Sequence, residues 1–201
     1  PCWRRGATSC PVLEDGAVQE NAAIFGNDAC ASAHPSSLAP ALGTLDAVVE
    51  IVGPEGKRDL PFTAFWAKPE PGRHGDDVLK PADVITGVRL AARDGESGWR
   101  IAHHEIRRKA SFDWPLVVAA VALRNEQGVV RAPSIWLGAV APTPMRAVAA
   151  ERALEGQPFS GDLAAKAAER AVAGATPLGG NAYKVQLVRT AVRRALMDAW
   201  R

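Results

Sequence analysis

Three cysteines, two methionines and a single tyrosine in 201 residues set the first limits on this chain. An odd number of cysteines cannot close a complete disulfide framework within it, so the thiols read as metal ligands or as small buried apolar groups in a reducing compartment. No apolar run approaches the roughly 20 residues that a membrane-spanning helix needs, and no signal-peptide pattern is present. Charge of one sign is also scarce. The formal net charge is +2 with no long single-sign run, which argues against a nucleic-acid or membrane-surface partner. Several catalytic signatures are missing as well. There is no Gly-x-Ser-x-Gly, no His-Glu-x-x-His and no Ser/His/Asp arrangement, so no general acid or base is assigned. Without a Gly-x-Gly-x-x-Gly or a P-loop, this stretch has no pyrophosphate cradle of its own.

What is present is a composition of 47% hydrophobic and 23% charged residues, that of a soluble globular protein with one large domain or two small ones. The chain begins at Pro1 rather than Met, as expected at a boundary made by processing or expression, with native sequence missing upstream. Residues 1–35 are loop-like, punctuated by Gly6, Pro11, Gly16, Gly26 and Pro35. A short helix follows, capped by Ser36 or Ser37, with Leu38, Ala41, Leu42 and Leu45 as its apolar stripe and Pro40 in its first turn. Residues 47–52 read as a strand, 53–56 as its turn and 57–61 as the return. Residues 62–66 form a short apolar turn or helix, 68–77 an exposed loop, and 83–90 another strand. The polar, glycine-containing stretch 93–98 is the expected domain boundary.

The second half has a clearer α+β pattern. Residues 99–106 are strand-like, 116–123 are nearly all apolar as in a central buried strand, and Asn125-Glu126-Gln127-Gly128 turns the chain into a strand over 129–140. Three helices follow: one capped by Thr143 with Pro144 at its first position, one over 162–173 after Ser160, and one over 182–200 after Asn181. In the last, Val188, Val192, Ala195 and Ala199 share a face opposite Arg189, Arg193 and Arg194. Strands and helices in blocks, with no internal repeat, predict a helix layer packed on an antiparallel sheet.

Seven residues separate Cys2 from Cys10 and nineteen separate Cys10 from Cys30, all in loop-like sequence that lets thiolates converge. Iron–sulfur clusters and structural zinc both take four such ligands, and His34, four residues after Cys30, could complete a zinc set. Three unrelated thiols is the plainer alternative. His74 reads as solvated in its Gly-Arg-His-Gly loop, and His103 and His104 point to opposite faces of a strand. Asp113 reads as bonded to nearby backbone or to Arg107 or Arg108. The run Arg107-Arg108-Lys109 reads as a solvated face, and Trp66, Trp136 and Trp200 as core or interface residues.

Several separated motifs, in order, carry a resemblance. They are Pro1-Cys2-Trp3-Arg4-Arg5-Gly6, Cys10-Pro11, Ala23-Ile24-Phe25-Gly26, Cys30-Ala31, His34-Pro35-Ser36 and Leu38-Ala39-Pro40-Ala41-Leu42; then Leu79-Lys80-Pro81-Ala82-Asp83-Val84-Ile85 and Arg108-Lys109-Ala110-Ser111-Phe112-Asp113-Trp114-Pro115-Leu116-Val117. The most specific is Leu137-Gly138-Ala139-Val140-Ala141-Pro142-Thr143-Pro144-Met145-Arg146, and Asn181-Ala182-Tyr183-Lys184-Val185 with Val192-Arg193-Arg194-Ala195-Leu196 closes the set. The chain resembles the FAD-binding subunit of molybdenum hydroxylases: xanthine dehydrogenases, aldehyde oxidoreductases and the carbon monoxide dehydrogenase medium subunit. It is most similar to the subgroup, shared with hydroxybenzoyl-CoA reductase, whose flavin subunit carries an extra 4Fe–4S cluster on an inserted loop.

The resemblance implies the second part of an FAD-binding domain over residues 1–95, with the cysteine loop at 1–35. Over 99–201 it implies a carbon monoxide dehydrogenase flavoprotein C-terminal domain. It implies Cys2, Cys10 and Cys30 as cluster ligands, with a fourth ligand and the glycine-rich pyrophosphate loop upstream of residue 1. Gly26, Asn27, Ser36, Ser37, Leu79 and Glu105 become flavin-side positions. Two of these depart from the family, which usually has an acidic residue at Ser37 and a basic one at Glu105. An acceptor is lost at one and the charge reversed at the other, so weakened FAD binding is expected. The implied role is electron transfer from molybdenum and 2Fe–2S subunits through FAD to NAD, quinone or oxygen. The implied compartment is the cytoplasm, or the periplasm by co-export. The rival reading is a non-catalytic module, zinc-stapled or metal-free, that docks to a partner subunit.

Overall fold

The computed structural model describes residues 2–70, 72–92 and 98–201. Two 3₁₀ turns, Trp3–Arg5 and Pro11–Leu13, punctuate a long N-terminal loop layer. Helix α1 (Leu38–Thr44) leads into an antiparallel sheet of β1 (Val48–Gly53), β2 (Gly56–Pro61) and, after the single turn α2 (Phe62–Phe65), β3 (Val84–Arg89), in the order β2-β1-β3. A second antiparallel sheet, β4 (Trp99–Ile106), β5 (Val117–Glu126), β6 (Val129–Gly138) and the short β7 (Met145–Arg146), runs in sequential order. Helices α3 (Val148–Leu154), α4 (Gly161–Ala171) and α5 (Tyr183–Trp200) complete the chain. This is the expected α+β layer of helices on an antiparallel sheet. Except for Gly98, the boundary expected at 93–98 lies outside the described residues.

Strand β5 is covered on both faces over its first seven residues, which is why it is apolar from Val117 to Leu123 before ending in Arg124, Asn125 and Glu126. Every residue from Val117 to Leu123 is at most 2% exposed. Val117, Ala119, Val121 and Leu123 join the α5 residues Val188, Val192, Ala195 and Ala199 in the main core, and α4 adds Ala164, Ala167, Ala168 and Ala171. Each Val or Leu so buried contributes about 1.5–3 kcal/mol of transfer free energy. On the opposite side of β6, Trp136 packs with Ala39, Val49, Ile51, Phe62 and Phe65, so the first sheet and the second share a core through one indole.

Helix α1 lies on this far side, against β5 and β6. Of the stripe expected for it, Leu42 packs on the core, but the fully buried positions are others. Leu38 is 65% exposed, while Ala39, Pro40, Gly43 and Thr44 are buried. The reason is close approach. A Cβ on Gly43 would stand 2.4 Å from Trp136 Cδ2, and one on Gly138 would stand 2.7 Å from Pro40 Cγ, so the contact is built from small residues. Ser36 rather than Ser37 caps the helix, its Oγ accepting the Ala39 N–H at 3.0 Å.

Two further expectations are corrected. The helix placed at Thr143 begins at Val148 instead, because Met145 and Arg146 are drawn into β7 opposite Leu137 and Trp136. The loop over 68–77 is not wholly exposed: His74 packs against Trp3 with ring centroids 4.6 Å apart, and its Nδ1 is buried without a partner. Elsewhere the punctuation holds. Gln127 and Gly128 both take positive φ in the hairpin turn, and Ser160 caps α4 through the Leu163 N–H at 3.0 Å.

Candidate functional site

The loop layer is tied into the C-terminal half through backbone groups. Val140 O accepts the N–H groups of Ile24 and Phe25, and the Thr176 N–H reaches Ile24 O. Lys184, 1% exposed, donates its Nζ to Ala139 O at 2.6 Å, Ala22 O at 3.2 Å and Asn21 O at 3.4 Å. Burial pushes its ammonium down to about 8. Asn181 donates to Ala22 O and Ala23 O. Asn27 is held the same way: its amide donates to Ala23 O and Thr176 O at 3.0 Å, and its oxygen accepts from the Thr176 hydroxyl at 2.7 Å. Its polar groups are thus engaged within the fold.

Within this layer Cys10 and Cys30 are buried in one cluster with Trp3, Ala22 and Ala31, whereas Cys2 is exposed. The Arg4 guanidinium bonds Asp76 Oδ2 at 2.7 Å and Pro142 O at 3.2 Å. His34 Nδ1 lies 3.6 Å from the same Asp76 oxygen. Hydrogen bonding by His34 lowers the Asp76 carboxyl to about 2 against the opposing effect of burial, and Arg4 adds to the lowering. Among the described residues no group of three or more His, Cys, Asp and Glu side chains is arranged to hold a metal ion. The zinc set of three cysteines with His34 is therefore not assembled, since His34 faces Asp76 and meets Trp66 edge-on at 4.7 Å. Thiols suited to an iron–sulfur centre are present, but among the described residues they are not gathered into a ligand set.

The positions expected on the flavin side fall into three places. Ser36, Ser37 and Glu105 come together where α1 starts beside β4: Ser37 Oγ donates to Glu105 Oε1 at 3.0 Å. Arg107 Nε donates to the same oxygen at 2.6 Å, so the Glu105 charge is balanced two residues on. Burial alone would raise the Glu105 carboxyl, but the bonds from Arg107 and Ser37 outweigh it and the group is shifted down. Gly26 instead lines a cavity of about 330 Å³ with Phe25, Lys68, Trp136, Thr143 and Arg146. Leu79 packs on the Trp136 cluster, its N–H donating to Asp77 Oδ1 at 2.9 Å. Asn27 joins neither group.

Sequence reasoning missed Arg4, Asp76 and Arg107. The Arg107 partnership had a visible signal, because Arg107 lies only two positions after Glu105, just past the end of β4. Arg4–Asp76, seventy-two residues apart, had none. Asp113 behaves as read, Oδ2 accepting the Arg108 and Lys109 backbone N–H groups at 3.2 and 3.0 Å.

Fold and comparison agree on the class. Residues 101–199 match the CO dehydrogenase flavoprotein C-terminal domain, and this part of the chain belongs to that family. The chain is 31% identical to the aldehyde oxidoreductase FAD-binding subunit PaoB of Escherichia coli, over 99% of this chain and 59% of that protein. Among solved structures it is similar to carbon monoxide dehydrogenase from Hydrogenophaga pseudoflava, with a TM-score of 0.71, 32% identity and coverage of 82% of this chain and 59% of that one. Quinoline 2-oxidoreductase from Pseudomonas putida 86 gives a TM-score of 0.69 at 26% identity, covering 83% and 57%. The chain is homologous to these proteins and spans about three fifths of their length.

Proposed function

We propose that this chain is part of a flavin-binding electron-transfer subunit of a molybdenum hydroxylase of the xanthine or aldehyde dehydrogenase type. Residues 1–95 would be the second part of its FAD-binding domain and residues 99–201 its C-terminal domain. The observation that carries the reading is similarity along 99% of the chain to a subunit that binds FAD. In the complex, electrons would pass from a molybdenum-cofactor subunit and a 2Fe–2S subunit, by way of FAD, to NAD, quinone or oxygen. Bound FAD supplies the redox chemistry, and the protein orients it and sets its potential.

The residues of this chain have holding roles. Ser36 fixes the start of α1, Ser37 and Arg107 fix Glu105, and the small residues Gly43 and Gly138 seat α1 on the sheet that carries Glu105. Cys2, Cys10 and Cys30 are the ligands proposed for a 4Fe–4S centre, supported by three unpaired thiols in one loop layer. Since they are not gathered as a ligand set, no step is assigned to that centre. Among the described residues no helix is long and apolar enough to cross a membrane, and cytoplasmic residence is part of the same proposal. Optical spectra and metal analysis of the anaerobically purified complex test it. Flavin absorbance stoichiometric with this chain is expected; zinc with no visible absorbance would replace this reading with that of a docking module.

A further inference from the structure

The Glu105 side chain is 7% exposed and clasped from three directions. Ser37 Oγ and Arg107 Nε both donate to Oε1, at 3.0 and 2.6 Å, and His103 Nε2 lies 3.7 Å from Oε2. An ionised carboxylate withdrawn from water persists only when paired and hydrogen-bonded, and this one is. The Arg107 bond uses Nε alone. Its two terminal amino groups have no hydrogen-bond partner among the described residues. Arg107 borders an open cavity of about 340 Å³ shared with Glu105, Arg108, Lys109 and Ala110. Arg108 is engaged by Glu20 at 3.0 Å, so Arg107 is the guanidinium there whose terminal nitrogens are left over. A guanidinium anchored through Nε and free at both terminal nitrogens is a rigid fork of donors, pre-set for a planar, oxygen-bearing ligand edge.

We propose that Arg107 is a ligand-binding residue for the oxygen-bearing edge of a planar anionic ligand, and that Glu105, locked by Ser37, is its positioning residue. On the flavin reading, on which this assignment rests, the ligand edge is the carbonyl edge of the FAD ring. A positive group there favours the electron-rich reduced cofactor, which raises its potential.

The test uses the assembled complex stripped of FAD and titrated with FAD alone, by fluorescence quenching and by spectroelectrochemistry. R107Q is expected to weaken FAD binding at least tenfold and to move the midpoint potential to more negative values, with R107K recovering part of both. E105Q should also weaken FAD binding, by releasing the Arg107 fork, but it removes a negative charge and so should not move the potential to more negative values. The double variant E105Q/R107Q should be no worse than R107Q, because Glu105 acts through Arg107. Should R107Q fail to fold, R107K against wild type decides by the same two readouts. Unchanged affinity and potential in the Arg107 variants, or fully additive losses in the double variant, would overturn the assignment. A wild-type complex that takes up no FAD would overturn the flavin reading itself, and the assignment with it.

Discussion

Replacing Gly43 by Ala tests how the two sheets are joined. In an ordinary helix the change favours folding by up to about 1 kcal/mol, since alanine loses less backbone entropy. Gly43 is one residue from the end of α1, where that gain is smaller, and the new methyl would lie 2.4, 2.6 and 2.8 Å from three atoms of the Trp136 ring. Those atoms are not the loose end of a side chain. Trp136 is 4% exposed and meets Phe62 at a centroid distance of 5.5 Å, so the indole cannot withdraw without disturbing the shared core. Overpacking of this kind costs about 1–3 kcal/mol, and three sub-van der Waals contacts place it at the upper end. The net loss is about 2 kcal/mol, or a drop of about 4–8 °C in Tm for a chain of this size. Thermal denaturation followed by tryptophan fluorescence and circular dichroism measures it. In a W136L background, where the ring is gone, G43A should become neutral or stabilising. A G43A protein as stable as wild type would refute the close-approach account of α1.

Other predictions concern buried polar groups. Glu151, 6% exposed, accepts the Ile135 N–H at 2.9 Å and Arg146 Nε at 2.8 Å, so E151A should cost about 1–3 kcal/mol by stranding a buried donor and should speed amide exchange at Ile135. The Asp76 carboxyl ionises at about 2 rather than 3.8, so its stabilising contribution is whole above pH 3.8 and is lost as the pH falls toward 2. Acid unfolding of D76N should lack that segment of the profile. Lys184 is held at about 8 rather than 10.5, so the unfolded chain binds more protons between those values and stability should rise across that interval. K184M should flatten the difference, as read from Tm at pH 7.5 and pH 10.

What was legible in the sequence was local or periodic. The unbroken apolar run of β5 announces a strand covered on both faces, and Asn125 to Gly128 announces a turn whose Asn125 Oδ1 accepts the Gly128 N–H at 2.9 Å. The faces of α4 and α5 follow from their spacing. What stayed hidden depended on distant partners. Nothing near His74 tells that Trp3 will cover it, and nothing in Leu38 tells that α1 will pack through Pro40 and Gly43 instead. At the candidate site, Ser37 and Glu105 were named for separate reasons sixty-eight residues apart, and the hydrogen bond between them makes them one feature. Arg107 escaped notice because a basic run on a surface ordinarily stays solvated. The burial of Glu105 gives Arg107 a fixed direction.

The central claim is that this chain serves a flavin-dependent electron-transfer subunit. The most direct measurement is the absorbance spectrum of the intact, anaerobically purified complex, with released FAD quantified against this chain. One FAD per chain, bleached on adding dithionite, is the predicted result. A colourless complex that neither contains nor takes up FAD would contradict the account.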